Sequence, residues 1–410
     1  VNITSKRISE AIRLAVNLLS VEDSLAQRPL ELSEYCGMEA EVLAELFRDE
    51  IGISPLQFTL NERLDFSRTL VRETGLPIQT IAEISGYSSI ENYEIAFLSR
   101  FRRRAQQVSR RRSRTPVGTI TLPLAFRPPF SWAQTIGFFR AHGIPGLEAT
   151  SAGIFERLLR FGDSIGSIRV FSALNGRPEL TLESTGVPAS ELFKIVKRVR
   201  WMFDLDMDPI AVAEGLSSQD YSAVLYKCEP GLRIAKGWNS FETAVATVLG
   251  QLVSVQFGRV LLKELIDAYG QTLVDESTSK AHTFFPTPER LQTASLKEVR
   301  TSERRRECIR ALARVAADEP SFFALPHAPK KVRDRLKRVP GIGAWTAEYV
   351  AMRAFGDQDA FPSTDYGLKQ ELALNSAFSV NAVRPLRAYA AVYMWKEFLN
   401  RKEATNATRL

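Results

Sequence analysis

Apolar residues recur at three- and four-residue spacing from Ile8 to about Arg104, interrupted at short intervals by Gly37, Gly52, Pro55, Gly75, Pro77 and Gly86. That punctuation predicts a bundle of short helices. Two stretches share one plan: LELSEYCGMEAEVLAELFRDEIGISPLQF (30–58) and LPIQTIAEISGYSSIENYEIAFLSRF (76–101) each read as helix, glycine turn, second helix. Beyond residue 117 the texture changes. GTITLPLAF, GLEATSAGIFERLLRF, GSIRVFSAL and PELTLES are short, partly alternating segments divided by glycine, proline and Asn-Gly, which predicts an antiparallel sheet. ASELFKIVKRVRWMFDL then reads as an amphipathic helix able to cover one sheet face. From Asp208 to Arg401 long periodic runs such as FETAVATVLGQLVSVQFGRVLLKELIDAYG predict helix throughout. The expected fold class is multidomain and mainly α: a helical N-terminal domain, a small α+β domain on an antiparallel sheet, and a C-terminal all-α domain.

Charge changes this picture in one place. The chain has 410 residues and a formal charge of +7, but Arg100 to Arg114 (RFRRRAQQVSRRRSR) carries eight arginines and no acid, more than the whole excess. The basic balance belongs to one segment. It is either a solvated linker or a tether that follows a phosphate backbone without reading sequence. Cys36, Cys228 and Cys308 are isolated and odd in number, which argues against a disulfide framework, a four-thiolate zinc site or an iron–sulfur cluster. His142, His282 and His327 are equally scattered. No apolar run approaches a membrane span and the N-terminal stretch lacks the build of a secretory signal, so a cytoplasmic protein without a membrane partner is expected. The chain opens on Val1, in keeping with either a missing upstream segment or a non-standard start.

Candidate chemistry gathers at RVPGIGAW (338–345). If 331–338 is one helix and 344–355 the next, Gly341 and Gly343 sit at the foot of the second, where N–H groups lack intrahelical partners. A phosphate could approach those amides, aided by the helix dipole, in a grip that ignores sequence. An ordinary tight turn between helices is the plainer account. Trp345 and Tyr349, four apart, share a helical face, and aromatic core packing is the plainer account of them. Asp365 precedes YGLKQELAL and suits a helix N-cap.

The pair of helix-glycine-helix units resembles the AraC-type DNA-binding domain, which carries two helix-turn-helix motifs. Here the expected reading helices hold Glu39, Glu41, Glu45, Glu91 and Glu94 where relatives usually have arginines. Carboxylates repel phosphates.

LKRVPGIGAWTAEYVAMRAFGDQDAFPSTDYGLK resembles the helix-hairpin-helix DNA glycosylase superfamily. With FRPPFSWAQTIGFFRAHGIPGLE, MFDLDMDP, FETAVATVLGQLVSVQ and FPTPERL, the likeness is to its AlkA-like, alkylation-repair branch. The combination with an AraC-type front end is similar to bacterial Ada–AlkA fusions, without their leading zinc domain among these residues. The resemblance implies domains at 1–108 (AraC-type), 109–117 (Arg-rich linker), 118–205 (AlkA N-terminal-like α+β) and 206–402 (glycosylase). It implies Asp365 as catalytic carboxylate; Trp345, Tyr349, Trp395 and Phe138 around the flipped base; Leu252 as the residue wedged into the gap; and Gly341, Gly343 and Thr346 on DNA phosphate. A monovalent cation on the backbone of Lys337, Val339 and Ile342 is implied too. Lyase relatives place a nucleophilic lysine where this chain has Trp345, so a monofunctional enzyme is expected.

The implied reaction is hydrolysis of the N-glycosidic bond of alkylated purines such as 3-methyladenine, after base flipping, in base excision repair. Alkylation at a ring nitrogen makes the base a good leaving group. The enzyme then needs a carboxylate beside an oxocarbenium-like sugar rather than a strong general acid. No cofactor and no obligate protein partner are expected; the partner is double-stranded DNA containing alkylated bases, with a bacterial, nucleoid-associated location. A regulator whose glycosylase-like part senses lesions without catalysis is the competing expectation.

Overall fold

The computed structural model describes residues 9–108, 118–172, 176–217, 220–275, 278–324 and 326–407. The expected linker at 109–117, with Arg110, Arg111, Arg112 and Arg114, lies outside the described residues.

The front end folds as its punctuation predicts. Helices Pro29–Cys36 and Ala40–Ile51 meet through Gly37 at φ +70°, and Ile78–Ile84 and Ile90–Phe101 through a turn holding Gly86 at φ +83°. Both glycines take the left-handed backbone that L side chains resist. The long helix Pro55–Glu73, capped by the Ser54 hydroxyl accepting from Gln57 N, joins the two units.

Five strands form one antiparallel sheet in the order β1-β5-β4-β3-β2: β1 (Thr119–Ala125), β2 (Glu148–Ser151), β3 (Ile154–Phe161), β4 (Ser164–Ser172) and β5 (Glu179–Thr185). Alternation sets the buried face, with Leu180, Leu182 and Ser184 inward on β5 and Phe155, Arg157 and Leu159 inward on β3. The buried Arg157 guanidinium bonds Glu148 and, at 2.8 Å, Glu242, so the sheet is tied to the helical part by a paired charge rather than by apolar contact alone. The helix Leu192–Met202 lays Phe193, Ile195, Val196 and Val199 into the core, as its amphipathic pattern predicts.

The apolar core does not stop at the end of the front end. Leu64, Leu70, Ile81, Tyr93 and Phe97 run without a break into Leu122, Phe155, Val170, Leu182 and Phe203. Phe66 meets Phe193 with ring centres 5.2 Å apart, and Glu62 pairs with Lys197 at 2.5 Å. The second helix-turn-helix unit and the sheet therefore share one core, while the first unit has its own around Ile12, Leu18, Leu32 and Phe47.

The rest of the chain is helical around a third core that includes Val245, Leu261, Leu312, Val350 and Tyr389. One departure from the all-helical expectation is a ribbon of β6 (Gln271–Asp275) and β7 (Lys280–Phe284). Its β-branched Thr272 and Thr283 face each other as a register pair, chemistry that favours a strand over the helix that precedes it. Among the described residues no helix is long and apolar enough to cross a membrane.

Candidate active site

Trp345, Tyr349 and Arg353 follow one another at four-residue steps on the helix Ala344–Phe355, so their side chains form a single stripe. Trp345 and Tyr349 stack with centres 5.1 Å apart and planes 16° from parallel; Trp395, from the helix Arg387–Ala407, meets Tyr349 edge-on at 5.9 Å. Three of the four expected pocket rings are thus brought together.

Asp365 stands at their edge. It caps the helix Tyr366–Leu374, with Oδ1 accepting from Leu368 N at 3.2 Å. Both indoles donate to the same carboxylate, Trp395 Nε1 to Oδ1 at 2.8 Å and Trp345 Nε1 to Oδ2 at 3.0 Å. The tryptophans, expected as stacking surfaces, also clamp the carboxylate with their N–H edges. A carboxylate offers about four acceptor positions, so three donors leave room for one more partner.

Phe138, on the helix Trp132–His142, joins the cage indirectly. It stacks on His142 at 4.4 Å, and the Arg353 guanidinium lies 4.3 Å from its ring centre. The same guanidinium is 5.6 Å from the Trp395 ring and 5.7 Å from Tyr349. Arg353 was not singled out from the sequence, although its place four residues after Tyr349 was legible. Lys396, next to Trp395, turns to Glu229 at 3.9 Å and so leaves the pocket.

Leu252 lies in the turn between Ser240–Leu249 and Val255–Tyr269, in left-handed backbone at φ +54° and fully exposed. Two unforeseen contacts hold the turn: Gln251 Nε2 donates to Thr346 Oγ1 at 2.8 Å, and Arg305 donates to the Gln251 carbonyl. The Thr346 side chain is buried and accepts from Gln251, and its backbone N–H lies in the first turn of the hairpin helix.

The two hairpin glycines differ. At Gly341, φ is +89° and a Cβ would stand 2.8 Å from Cβ of buried Cys308, so glycine is required by backbone and by packing. At Gly343 a Cβ would meet nothing within 4 Å, an open approach to the helix N-terminus. Burial pushes the Cys308 thiol up to about 11, which makes it packing rather than chemistry. In the same hairpin the Val339 carbonyl accepts from Ile342 N at 3.1 Å, which leaves it a second lone pair.

On the expected reading helices, Glu39, Glu41, Glu45 and Glu91 are exposed, but Glu94 is buried and accepts from Ala105 N at 3.1 Å and Gln106 N at 3.3 Å. It caps the turn after its own helix and does not face outward. That is a correction with a local cause: unpaired amides of a following turn are satisfied by the nearest carboxylate.

Residues 121–239 match the model of the AlkA N-terminal domain, and residues 32–111 that of a helix-turn-helix domain. The chain is 30% identical to a probable bifunctional transcriptional activator/DNA repair enzyme AlkA of Mycobacterium tuberculosis, over 96% of this chain and 81% of that protein. It is 28% identical to DNA-3-methyladenine glycosylase 2 of Escherichia coli, over 66% of this chain and 95% of the relative. Among solved structures, a 3-methyladenine DNA glycosylase from Archaeoglobus fulgidus superposes with a TM-score of 0.56 at 17% identity, covering 67% of this chain and 97% of its own. An 8-oxoguanine glycosylase/lyase from Clostridium acetobutylicum, in complex with double-stranded DNA, gives 0.52 at 16% identity over 70% and 97%. These two likenesses show the fold.

Proposed function

From a chain that belongs to the AlkA family of DNA-3-methyladenine glycosylases, in the form that carries a helix-turn-helix front end, we propose a mechanism in which Asp365 is the catalytic carboxylate. The protein is a DNA-binding repair glycosylase, a hydrolase of the N-glycosidic bond. Its proposed substrates are alkylated purines in duplex DNA.

The observation that carries the reading is the clamp on Asp365. Two indole N–H groups and one backbone N–H fix the carboxylate beside the aromatic cage, and charge-assisted bonds of this kind are roughly twice as strong as neutral ones. As the glycosidic bond lengthens, positive charge grows on the sugar. A carboxylate already held in place meets that charge without reorganising. Its free acceptor position can orient the water that completes hydrolysis. Trp345, Tyr349 and Trp395 stack on the flipped base, and Leu252 fills the gap in the duplex. The open N-terminus at Gly343 receives phosphate. The carbonyls of Lys337, Val339 and Ile342, all oxygen donors, suit a hard monovalent cation that would add positive charge on the phosphate side. With Trp345 bonded to Asp365 where lyase relatives carry lysine, and Lys396 turned to Glu229, the chemistry is monofunctional.

The test is single-turnover release from methylated duplex DNA, read as abasic sites. Asp365→Asn keeps shape and removes charge. It should bind DNA as the wild type does and release no base above background; comparable release from the variant would overturn the assignment.

A further inference from the structure

Most buried charges of this protein are paired: Arg157 with Glu148 and Glu242, Lys236 with Asp204, Arg333 with Asp357. Arg353, like Arg233 with its four backbone carbonyl acceptors, is different. The Arg353 guanidinium is buried, yet among the described residues it forms no ion pair. It is held by neutral groups. Nη1 donates to the Ala235 carbonyl at 2.8 Å, and among the described residues Nε has no partner. Burial pulls its pKa down from the ordinary arginine value, but a guanidinium remains charged across the working range. The rest of its surroundings are aromatic faces, Phe138 at 4.3 Å, Trp395 at 5.6 Å and Tyr349 at 5.7 Å.

These are three of the four rings assigned to the flipped base. We propose that Arg353 is a specificity-determining residue of this pocket, a built-in cation that disfavours permanently cationic purines relative to neutral damaged bases with a carbonyl edge. The inference rests on the cage being the base pocket. Two effects act in the same direction. The negative faces of Phe138, Tyr349 and Trp395 are already engaged by a guanidinium, so a cationic base gains less from them than it would from empty rings. A second positive charge brought among the same rings is also repelled, and no carboxylate paired with Arg353 screens it. A neutral base with an accepting edge meets no such repulsion. The leaving-group advantage of a cationic base belongs to its own bond and is unaffected by Arg353, so the effect is a change in ratio, superimposed on chemistry.

The experiment compares duplexes carrying one 7-methylguanine or one hypoxanthine, below the N1 ionisation of 7-methylguanine, under single-turnover conditions. Wild type is set beside Arg353→Met, Arg353→Gln and Arg353→Lys. Gln keeps a donor for the Ala235 carbonyl, which makes it the safer fold; Lys keeps the charge. Met and Gln should raise the 7-methylguanine to hypoxanthine rate ratio roughly tenfold, a conservative scale for two charges sharing a partly desolvated site. Lys should leave the ratio within about twofold of wild type, as the retained charge requires. If all three variants lower both rates in proportion, Arg353 only supports the fold and the proposal is wrong. If Lys shifts the ratio as far as Gln does, charge is not the cause and the proposal is equally wrong. A wild type that releases neither base would instead remove the pocket reading beneath it.

Discussion

Leu252 allows function and stability to be separated, because the two are expected to move in opposite directions. The side chain is fully exposed and its backbone sits at φ +54°. It contributes nothing to the core, and a left-handed conformation costs an L residue about 1–2 kcal/mol. Replacing it with glycine relieves that strain but adds about 0.5–1 kcal/mol of chain entropy to the unfolded state. Leu252→Gly should therefore leave stability unchanged or raise it by up to about 1.5 kcal/mol. Leu252→Ala keeps the strain and should be neutral. In function both lose the wedge. Alanine removes three carbons, each worth about 0.8 kcal/mol when buried between bases, so about 2.4 kcal/mol and roughly sixtyfold in the flipped population are at stake. Denaturant unfolding gives the first quantity; 2-aminopurine fluorescence beside the lesion, with single-turnover excision, gives the second. Two results refute the reasoning: wild-type flipping and excision in both variants, or a glycine variant destabilised by more than about 2 kcal/mol, which would mark Leu252 as core.

Deleting residues 1–99 strips Leu64, Leu70, Tyr93 and Phe97 from a core that continues into the sheet, so the truncated chain should melt well below the full one while still excising in the cold. Equal melting temperatures would show that the shared core contributes nothing. Trp395→Phe keeps the ring and loses the donor to Asp365 Oδ1; a charge-assisted bond worth about 1.5–3 kcal/mol predicts at least tenfold slower excision with abasic-site DNA binding retained. Parallel losses of binding and excision would instead assign Trp395 to pocket shape alone.

What could be read from the sequence was local. Gly37 and Gly86 announced their turns because a left-handed residue is nearly a glycine signature, and the strands of the sheet announced themselves by alternation. The order of hairpin, aromatic helix and Asp365 placed the candidate site in one segment. What stayed hidden was three-dimensional. That the indoles of Trp345 and Trp395 converge on one carboxylate depends on two helices crossing, 30 residues apart in sequence from Asp365 to Trp395. Gln251 meets Thr346 across 95 residues, a pairing no periodicity encodes. The inward turn of Glu94 follows from the amides of Ala105 and Gln106, which only the folded chain brings within its reach. The ribbon of β6 and β7 was masked by the long helical run before it.

The front end shows why a charge count is a poor guide to DNA contact. Arg100 belongs to the run that dominates the net charge, yet it bonds Asp65 at 2.5 and 2.9 Å and lies against Phe101. Arg102 ends the helix Ile90–Phe101 at φ +57°, its N–H returned to the Leu98 carbonyl. Arg104 begins the next turn. The first part of the run thus terminates a helix and leaves Arg102, Arg103 and Arg104 exposed. The exposed surface of that helix carries Glu91, Ile95 and Leu98, and its one arginine, Arg100, is already paired with Asp65 rather than free for a phosphate backbone. Because this unit shares its core with the sheet, it cannot swing free of the glycosylase to find a better face. Of the cations that the described front end exposes, Arg102, Arg103 and Arg104 follow the unit whose core is shared with the sheet, which fixes the direction in which they meet DNA, whereas Arg48 lies on the helix Ala40–Ile51 of the first unit, with its own core.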